Sequence, residues 1–314
     1  MRRSFMGPSL VGPVLLISLA VSSCAPRATG LLPSPRIAGL QESHTVLLND
    51  QPVYYEVGGE GAPLVFIHGI GGGNSGYQWV KNAAAFTRNH RVYVLDLPGF
   101  GRSIPRPQNY TADLYVKTLT AFLKEVVQQE ADVVASSLGA AYSIKIAHND
   151  PELVQSLTLV SPTGIEKLVN PPNADFYNSL VGSPLGDVIA GFLRGRFSVS
   201  FFLKQQVYLD QSLVTTELKK IYQNNLKDPN AAYPVFSFIS DYSSLNIAKE
   251  WAALKQPAMM VWGSDDVNTP VSGAQKFLDL RPEVKLQVLT ARAIPNDERS
   301  AEFNGLLQGF LQGP

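Results

Sequence analysis

Ser137 stands between two small residues, Ala135 two positions before it and Gly139 two positions after. A short apolar run, Val133 to Ala135, precedes it and suits a buried strand. Behind it Ala140, Ala141, Ile144, Ile146 and Ala147 fall into a helical pattern. A strand that reverses sharply into a helix brings its flanking residues close together, and only small side chains leave room. A serine at that tip would be strained, with its hydroxyl exposed and a helix N-terminus behind it to favour developing negative charge. Those are the requirements of an oxygen nucleophile that attacks a carbonyl. A plain strand-to-helix turn would also accept these residues, so the spacing alone leaves both readings open.

The rest of the chain adds to the pattern. A continuous apolar strand, Pro63 to Ile67, opens into His68-Gly69-Ile70-Gly71-Gly72-Gly73. A further strand, Arg91 to Leu95, leads into Asp96-Leu97-Pro98-Gly99-Phe100-Gly101-Arg102-Ser103. Another, Ala258 to Trp262, leads into Gly263-Ser264-Asp265-Asp266, with Pro270 beyond. Together with the bend at Ser137, these segments resemble the α/β-hydrolase family, with Ala135 in place of the usual first glycine of the nucleophile elbow. The resemblance implies that Ser137 is the nucleophile and that the amides of Ile70 and Leu138 form the oxyanion hole. It implies that Asp266 is the triad acid, with Asp265 as the fallback, and that Asp96 and His68 are structural.

The same resemblance exposes a gap. Family members carry Gly-His between the last strand and the last helix, and that histidine relays the serine proton. Here the loop reads Leu289-Thr290-Ala291-Arg292-Ala293-Ile294-Pro295, which puts Ala293 at the histidine position. No histidine follows His148. His148 lies on the helix after Ser137, roughly 16 Å along its axis. His90 belongs at the opposite edge of the sheet and His44 at the N-terminal edge. Arg292 could act electrostatically, but a guanidinium is no base near neutral pH. Two functions follow as expectations: a serine hydrolase on a small apolar ester with a recruited base, or an inactive relative that binds a ligand or acts as a scaffold.

The elements that must position these residues read as an α/β fold, a mostly parallel eight-stranded sheet flanked by helices. Buried strands alternate with amphipathic helices, which implies right-handed crossovers. Strands at His44–Leu48 and Val53–Val57 form a hairpin. Helices are expected over 77–89, over 111–128 with Thr111 as N-cap, and over 298–311. From residue 164 to 252 strand character gives way to helical stretches (185–192, 207–226) with frequent aromatics: Phe176, Tyr177, Phe192, Phe197, Phe201 and Phe202. This matches the position of the family's helical cap, inserted after strand 6. The core is expected over 41–163 and 253–314.

The chain has 314 residues, with 26 basic and 26 acidic side chains. A net charge of zero argues against a nucleic-acid partner. Arg2 and Arg3 precede an apolar stretch, Leu10 to Val21, too short to span a bilayer. Val21-Ser22-Ser23-Cys24 resembles a bacterial lipobox, which implies a signal peptide over 1–23, a lipid on Cys24, and anchoring in the cell envelope. Arg2-Arg3-Ser4-Phe5-Met6 more weakly resembles a twin-arginine export signal. Residues 24–40 are rich in Pro and Gly and read as a tether. Cys24 is the only cysteine, so the domain has no disulfide and no thiol nucleophile. No metal or cofactor fingerprint is present, and the expected ligand is small and apolar.

Overall fold

The computed structural model describes residues 36–165 and 171–313. The expected export signal, Cys24 and most of the tether lie outside the described residues. Strand β1 (Glu42–Leu48) turns into β2 (Gln51–Gly58) through Asn49 and Asp50, whose φ angles are 48° and 62°. Short polar side chains tolerate that conformation, and the resulting turn matches the strand twist. The remaining strands are β3 (Ala62–Ile67), β4 (His90–Leu95), β5 (Ala131–Ser136), β6 (Val154–Val160), β7 (Ala258–Gly263) and β8 (Lys285–Leu289). They form one eight-stranded sheet in the order β1-β2-β4-β3-β5-β6-β7-β8. From β3 to β8 all neighbours are parallel, and β1 and β2 add an antiparallel edge.

The central strands are apolar at nearly every position because both faces of the sheet are covered. Side chains alternate between two cores, as a period of two requires. Val65 and Ile67 of β3 pack on one side, with helices α1 (Ala112–Ala121) and α2 (Ser137–Asn149). Leu64 and Phe66 pack on the other, against Phe303 and Leu307.

Several expected helices take other forms. Residues 77–89 make two short 3₁₀ turns, Gly76–Trp79 and Ala83–Phe86, instead of one helix. Tertiary contacts set this path. The Trp79 ring lies 5.2 Å from Phe66 and 6.2 Å from Phe303, and the Asn82 amide donates to Asn296 O and Asn304 Oδ1. Thr111 caps α1, its hydroxyl accepting from Leu114 N–H at 3.1 Å. The helix then widens over Phe122–Val127 and stops at Gln128, which takes φ 59°.

Between β6 and β7 lie α3 (Ala174–Leu180), α4 (Pro184–Arg194), α5 (Arg196–Phe202), α6 (Thr216–Asn225) and α7 (Ala232–Ile239). The helical stretch expected over 207–226 is confined to α6, whose N-cap is Thr215. Helix α8 (Ala248–Ala253) straddles the expected boundary at residue 252. Its Trp251 is fully buried in the sheet core and donates to Phe277 O of α9 (Ala274–Leu280) at 2.9 Å. At the C-terminal end, α10 (Pro295–Glu298) is a separate turn before α11 (Ser300–Leu311).

Candidate active site

In a parallel sheet, side chains that follow the carboxyl ends of the strands meet along one edge. Here that edge gathers His68-Gly69-Ile70 after β3, Ser137 after β5, Ser161 after β6, Asp266 after β7 and Ala293 after β8. Gly69, Ile70, Ser137, Leu138, Ser161, Asp266 and Ala293 all line one cavity of about 430 Å³. From the helical insertion, Phe202, Tyr222, Val235, Phe238 and Ile239 complete its wall.

Ser137 takes φ 53°, a left-handed conformation costly for a residue with a Cβ. The bend behind it is tight. A Cβ on Gly139 would sit 2.6 Å from the His68 carbonyl oxygen, so only glycine fits there. That contact holds the β3 loop directly against the start of α2. The Gly69 amide is taken by Gln78 Oε1 at 3.2 Å, and its carbonyl accepts from Asn74 Nδ2 at 3.1 Å. The next amide, Ile70 N–H, has no acceptor among the described residues. Neither has Leu138 N–H, in the first turn of α2, where no intrahelical acceptor exists.

Asp266 is 5% exposed. Its Oδ1 accepts from Asn268 N–H at 2.9 Å and Thr269 N–H at 3.0 Å, which fixes the carboxylate plane. Its Oδ2 has no hydrogen-bond partner. Burial pushes the Asp266 carboxyl above the usual carboxylate range, opposed by those two amides and the nearby Ser161 hydroxyl. The loop carrying Ala293 packs tightly on the loop carrying Asp266. Asp265 N–H donates to Ala291 O at 3.0 Å, and a Cβ on Gly263 would overlap the Arg292 carbonyl. Asp265 itself turns outward, its carboxylate accepting from Ser264 Oγ.

All four histidines are accounted for. His68 is fully buried, its Nδ1 bonded to Gly69 O at 2.8 Å and its Nε2 accepting from Leu97 N–H at 2.9 Å. A nitrogen that accepts from an amide carries no proton, so the ring is neutral, and burial pushes its pKa down. His44 pairs with Glu42 on the edge strand, His90 begins β4, and His148 ends α2. None of them lines the cavity. Asp96 is committed to structure: it is a bidentate partner of Arg36 and accepts from the Gly76 and Arg102 amides.

Arg292 does not act on the cavity. Its guanidinium points into the helical insertion and donates to the carbonyls of Lys204, Gln205 and Tyr208 at 3.1, 2.7 and 3.4 Å. Its amide donates to Glu298 Oε1 at 2.7 Å, and Glu298 Oε2 accepts from Leu209 and Asp210. The electrostatic role considered for it is replaced by a tie between the last loop and the insertion. Sequence reasoning also passed over Asn74, Gln78 and Ser161. The first two bond the Gly69 backbone from within the segment that follows β3, five and nine positions on. Asn268 and Thr269 carried a readable signal, since Asp-x-Asn-Thr after a strand suits a side-chain-to-backbone turn.

No group of three or more His, Cys, Asp or Glu side chains is placed to hold a metal ion among the described residues.

A parallel sheet with a strained serine on the bend after β5, and an acid after β7, defines a class of protein. A model of the α/β hydrolase fold matches residues 62–290, and the chain belongs to that family. It is 28% identical over 264 residues to the dihydrolipoyllysine-residue acetyltransferase component of the acetoin cleaving system of Pseudomonas putida. That match covers 82% of this chain and 66% of the relative, so the chain spans just under two thirds of its length. It is 24% identical over 230 residues to 2-hydroxy-6-oxo-6-(2'-aminophenyl)hexa-2,4-dienoic acid hydrolase of Metapseudomonas resinovorans, covering 72% of this chain and 75% of that one. Among solved structures it is similar in fold to a bacterial membrane phospholipase A. The TM-score is 0.72 at 23% identity, over 88% of this chain and 86% of that one.

Proposed function

We propose that this chain is a hydrolase-fold protein that binds a small apolar carbonyl compound, an ester or a relative of one, and turns it over slowly at most. The observation that carries this reading is the side chain at 293. Ser137 and Asp266 share a cavity with Ala293, and no imidazole lines it. The ligand's carbonyl oxygen would point at the Ile70 and Leu138 amides, with its apolar part against Phe202, Val235 and Phe238. A cavity of about 430 Å³ suits a small molecule. Without the base, the serine proton has no acceptor. Loss of a triad base lowers kcat by about 10⁶ and leaves about 10³–10⁴ over water from oxyanion hole and binding.

The strained φ of Ser137 supports a second reading, a serine hydrolase on such an ester with a recruited base. The two are separated by a fluorophosphonate probe and by ester turnover. On the first reading, folded protein binds an aryl ester, hydrolyses it no faster than about 10³–10⁴ over the uncatalysed rate, and shows little change on Ser137→Ala. Robust turnover that disappears with Ser137→Ala overturns it in favour of the second.

We further propose, on the lipobox-like Val21-Ser22-Ser23-Cys24, that the chain is exported and held at a bacterial envelope membrane by a lipid on Cys24. Mass spectrometry of the membrane-fraction protein should find a diacylglyceryl group on Cys24, absent in Cys24→Ser. A mature protein whose Cys24 carries no lipid would refute the lipid anchor.

A further inference from the structure

Exposed large apolar side chains are concentrated on two consecutive helices. Leu185, Val188 and Phe192 of α4 are 52, 70 and 63% exposed, and Phe197 and Phe201 of α5 are 77 and 52% exposed. Their spacings place each set on one face of its helix. The opposite faces are occupied: Ala190 of α4 and Val199 of α5 are buried against the rest of the insertion. The Phe197 and Phe201 rings stack at 6.2 Å, so the two form one continuous apolar surface on the outward face. Arg194 and Arg196 flank the single connecting residue Gly195, and Asp187 is the only acid on the two helices.

A soluble surface rarely carries so many large apolar groups together without a partner. Aromatic and aliphatic side chains on one face, with arginines beside them, are the pattern of helices that lie in a membrane interface. The patch also adjoins the site. Phe202, immediately after Phe201, lines the cavity, as do Phe238 and Ile239, themselves 38 and 42% exposed. The tether limits the distance from a membrane: the twelve residues from Cys24 to Arg36 reach at most about 40 Å.

We propose that the outer face of α4 and α5 lies in the headgroup–acyl boundary of the membrane that anchors the chain, so that the apolar ligand passes from the bilayer into the cavity before Ser137. This rests on the anchoring proposed above. Insertion of the phenylalanines buries their rings, the arginines meet anionic headgroups, and the cavity mouth at Phe202, Phe238 and Ile239 opens toward lipid instead of water.

The test uses the lipid-modified full chain reconstituted in phosphatidylcholine vesicles, with and without phosphatidylglycerol. The lipid occupies the sulfur of Cys24, so Phe197→Cys supplies a single free thiol for an environment-sensitive dye. Leu47→Cys, on the exposed edge strand β1, is the reference. We expect the dye at 197 to shift to the blue and to be quenched by lipids carrying a nitroxide in the upper acyl chain. The dye at 47 should do neither, and added phosphatidylglycerol should strengthen the quenching at 197. Combining Phe192→Ser and Phe201→Ser with the labelled site should abolish the shift. An anchored protein whose dye at 197 reports water overturns the inference while leaving the anchor intact. A shift that follows protein concentration and ignores the nitroxide lipid overturns it too, by putting a second copy of the chain on that face. Failure of the anchor itself appears separately, as a Cys24 that carries no lipid when the membrane-fraction protein is analysed by mass spectrometry.

Discussion

Replacing Ala293 with histidine tests the proposed loss of the base, because it adds an imidazole to the cavity that Ser137 and Asp266 line. Asp266 Oδ1 is held by two amides, while Oδ2 has no partner and is free to accept an imidazole N–H. The other ring nitrogen would then face Ser137 across the shared cavity. A positioned general base contributes about 10²–10⁴ in rate. That corresponds to about 3–5 kcal/mol of barrier, and we expect kcat/KM on a short-chain p-nitrophenyl ester to rise within that range. The rise should follow deprotonation of the new imidazole, whose unperturbed pKa is about 6.5. Ser137→Ala in the same background should cancel the gain. Arg292 should be left in place. Although glycine usually precedes the family histidine, Arg292→Gly would also remove the guanidinium that holds the insertion. The double variant should therefore gain less than Ala293→His alone. No gain in a folded Ala293→His protein, or a gain that survives Ser137→Ala, would refute the claim that residue 293 faces both groups.

Three further outcomes follow from the same geometry. Arg292→Ala removes charge-assisted hydrogen bonds to Lys204 and Gln205, which should cost about 1–3 kcal/mol; the loss should appear as faster hydrogen exchange over residues 203–210. Asp266→Asn should stabilise the protein at neutral pH. Burial raises the folded carboxyl's pKa, so the folded state binds more protons than the unfolded chain, and stability falls as pH climbs from the unfolded value toward the folded one. The gain in Tm should therefore be seen at pH 7 and vanish near about pH 3, below the usual carboxylate range; an equal gain at both pH values would contradict this account. Gly139→Ala should be disruptive, since its Cβ would sit 2.6 Å from the His68 carbonyl oxygen. Forcing that contact costs about 1–3 kcal/mol, read as a lowered Tm and a displaced Ser137.

Much of the fold follows from local rules. Val65, Val94 and Val133 lie in apolar runs because strands covered on both faces have no solvent side to mark with polar residues. Ala135, Ser137 and Gly139 mark the bend because only small residues fit around it, a steric requirement written at fixed spacing. Thr111 announces α1 because a hydroxyl can satisfy the first free amides of a helix. That residue 293 is an alanine is plain in the sequence, and the structure adds that it lines the cavity of Ser137 and Asp266.

What the sequence by itself determined was therefore the parallel sheet and the bend after β5 that carries Ser137. Each depends on residues within a few positions of one another. Tertiary structure alone decided the rest. It broke the helix expected over 77–89, because Trp79 and Asn82 are held by residues more than two hundred positions away. It turned Arg292 away from the cavity to bind carbonyls some ninety positions earlier. It left Asp266 Oδ2 buried without a partner, and it set five large apolar side chains outward on α4 and α5. Such long-range arrangements depend on which surfaces meet after folding, and no local pattern of residues encodes them.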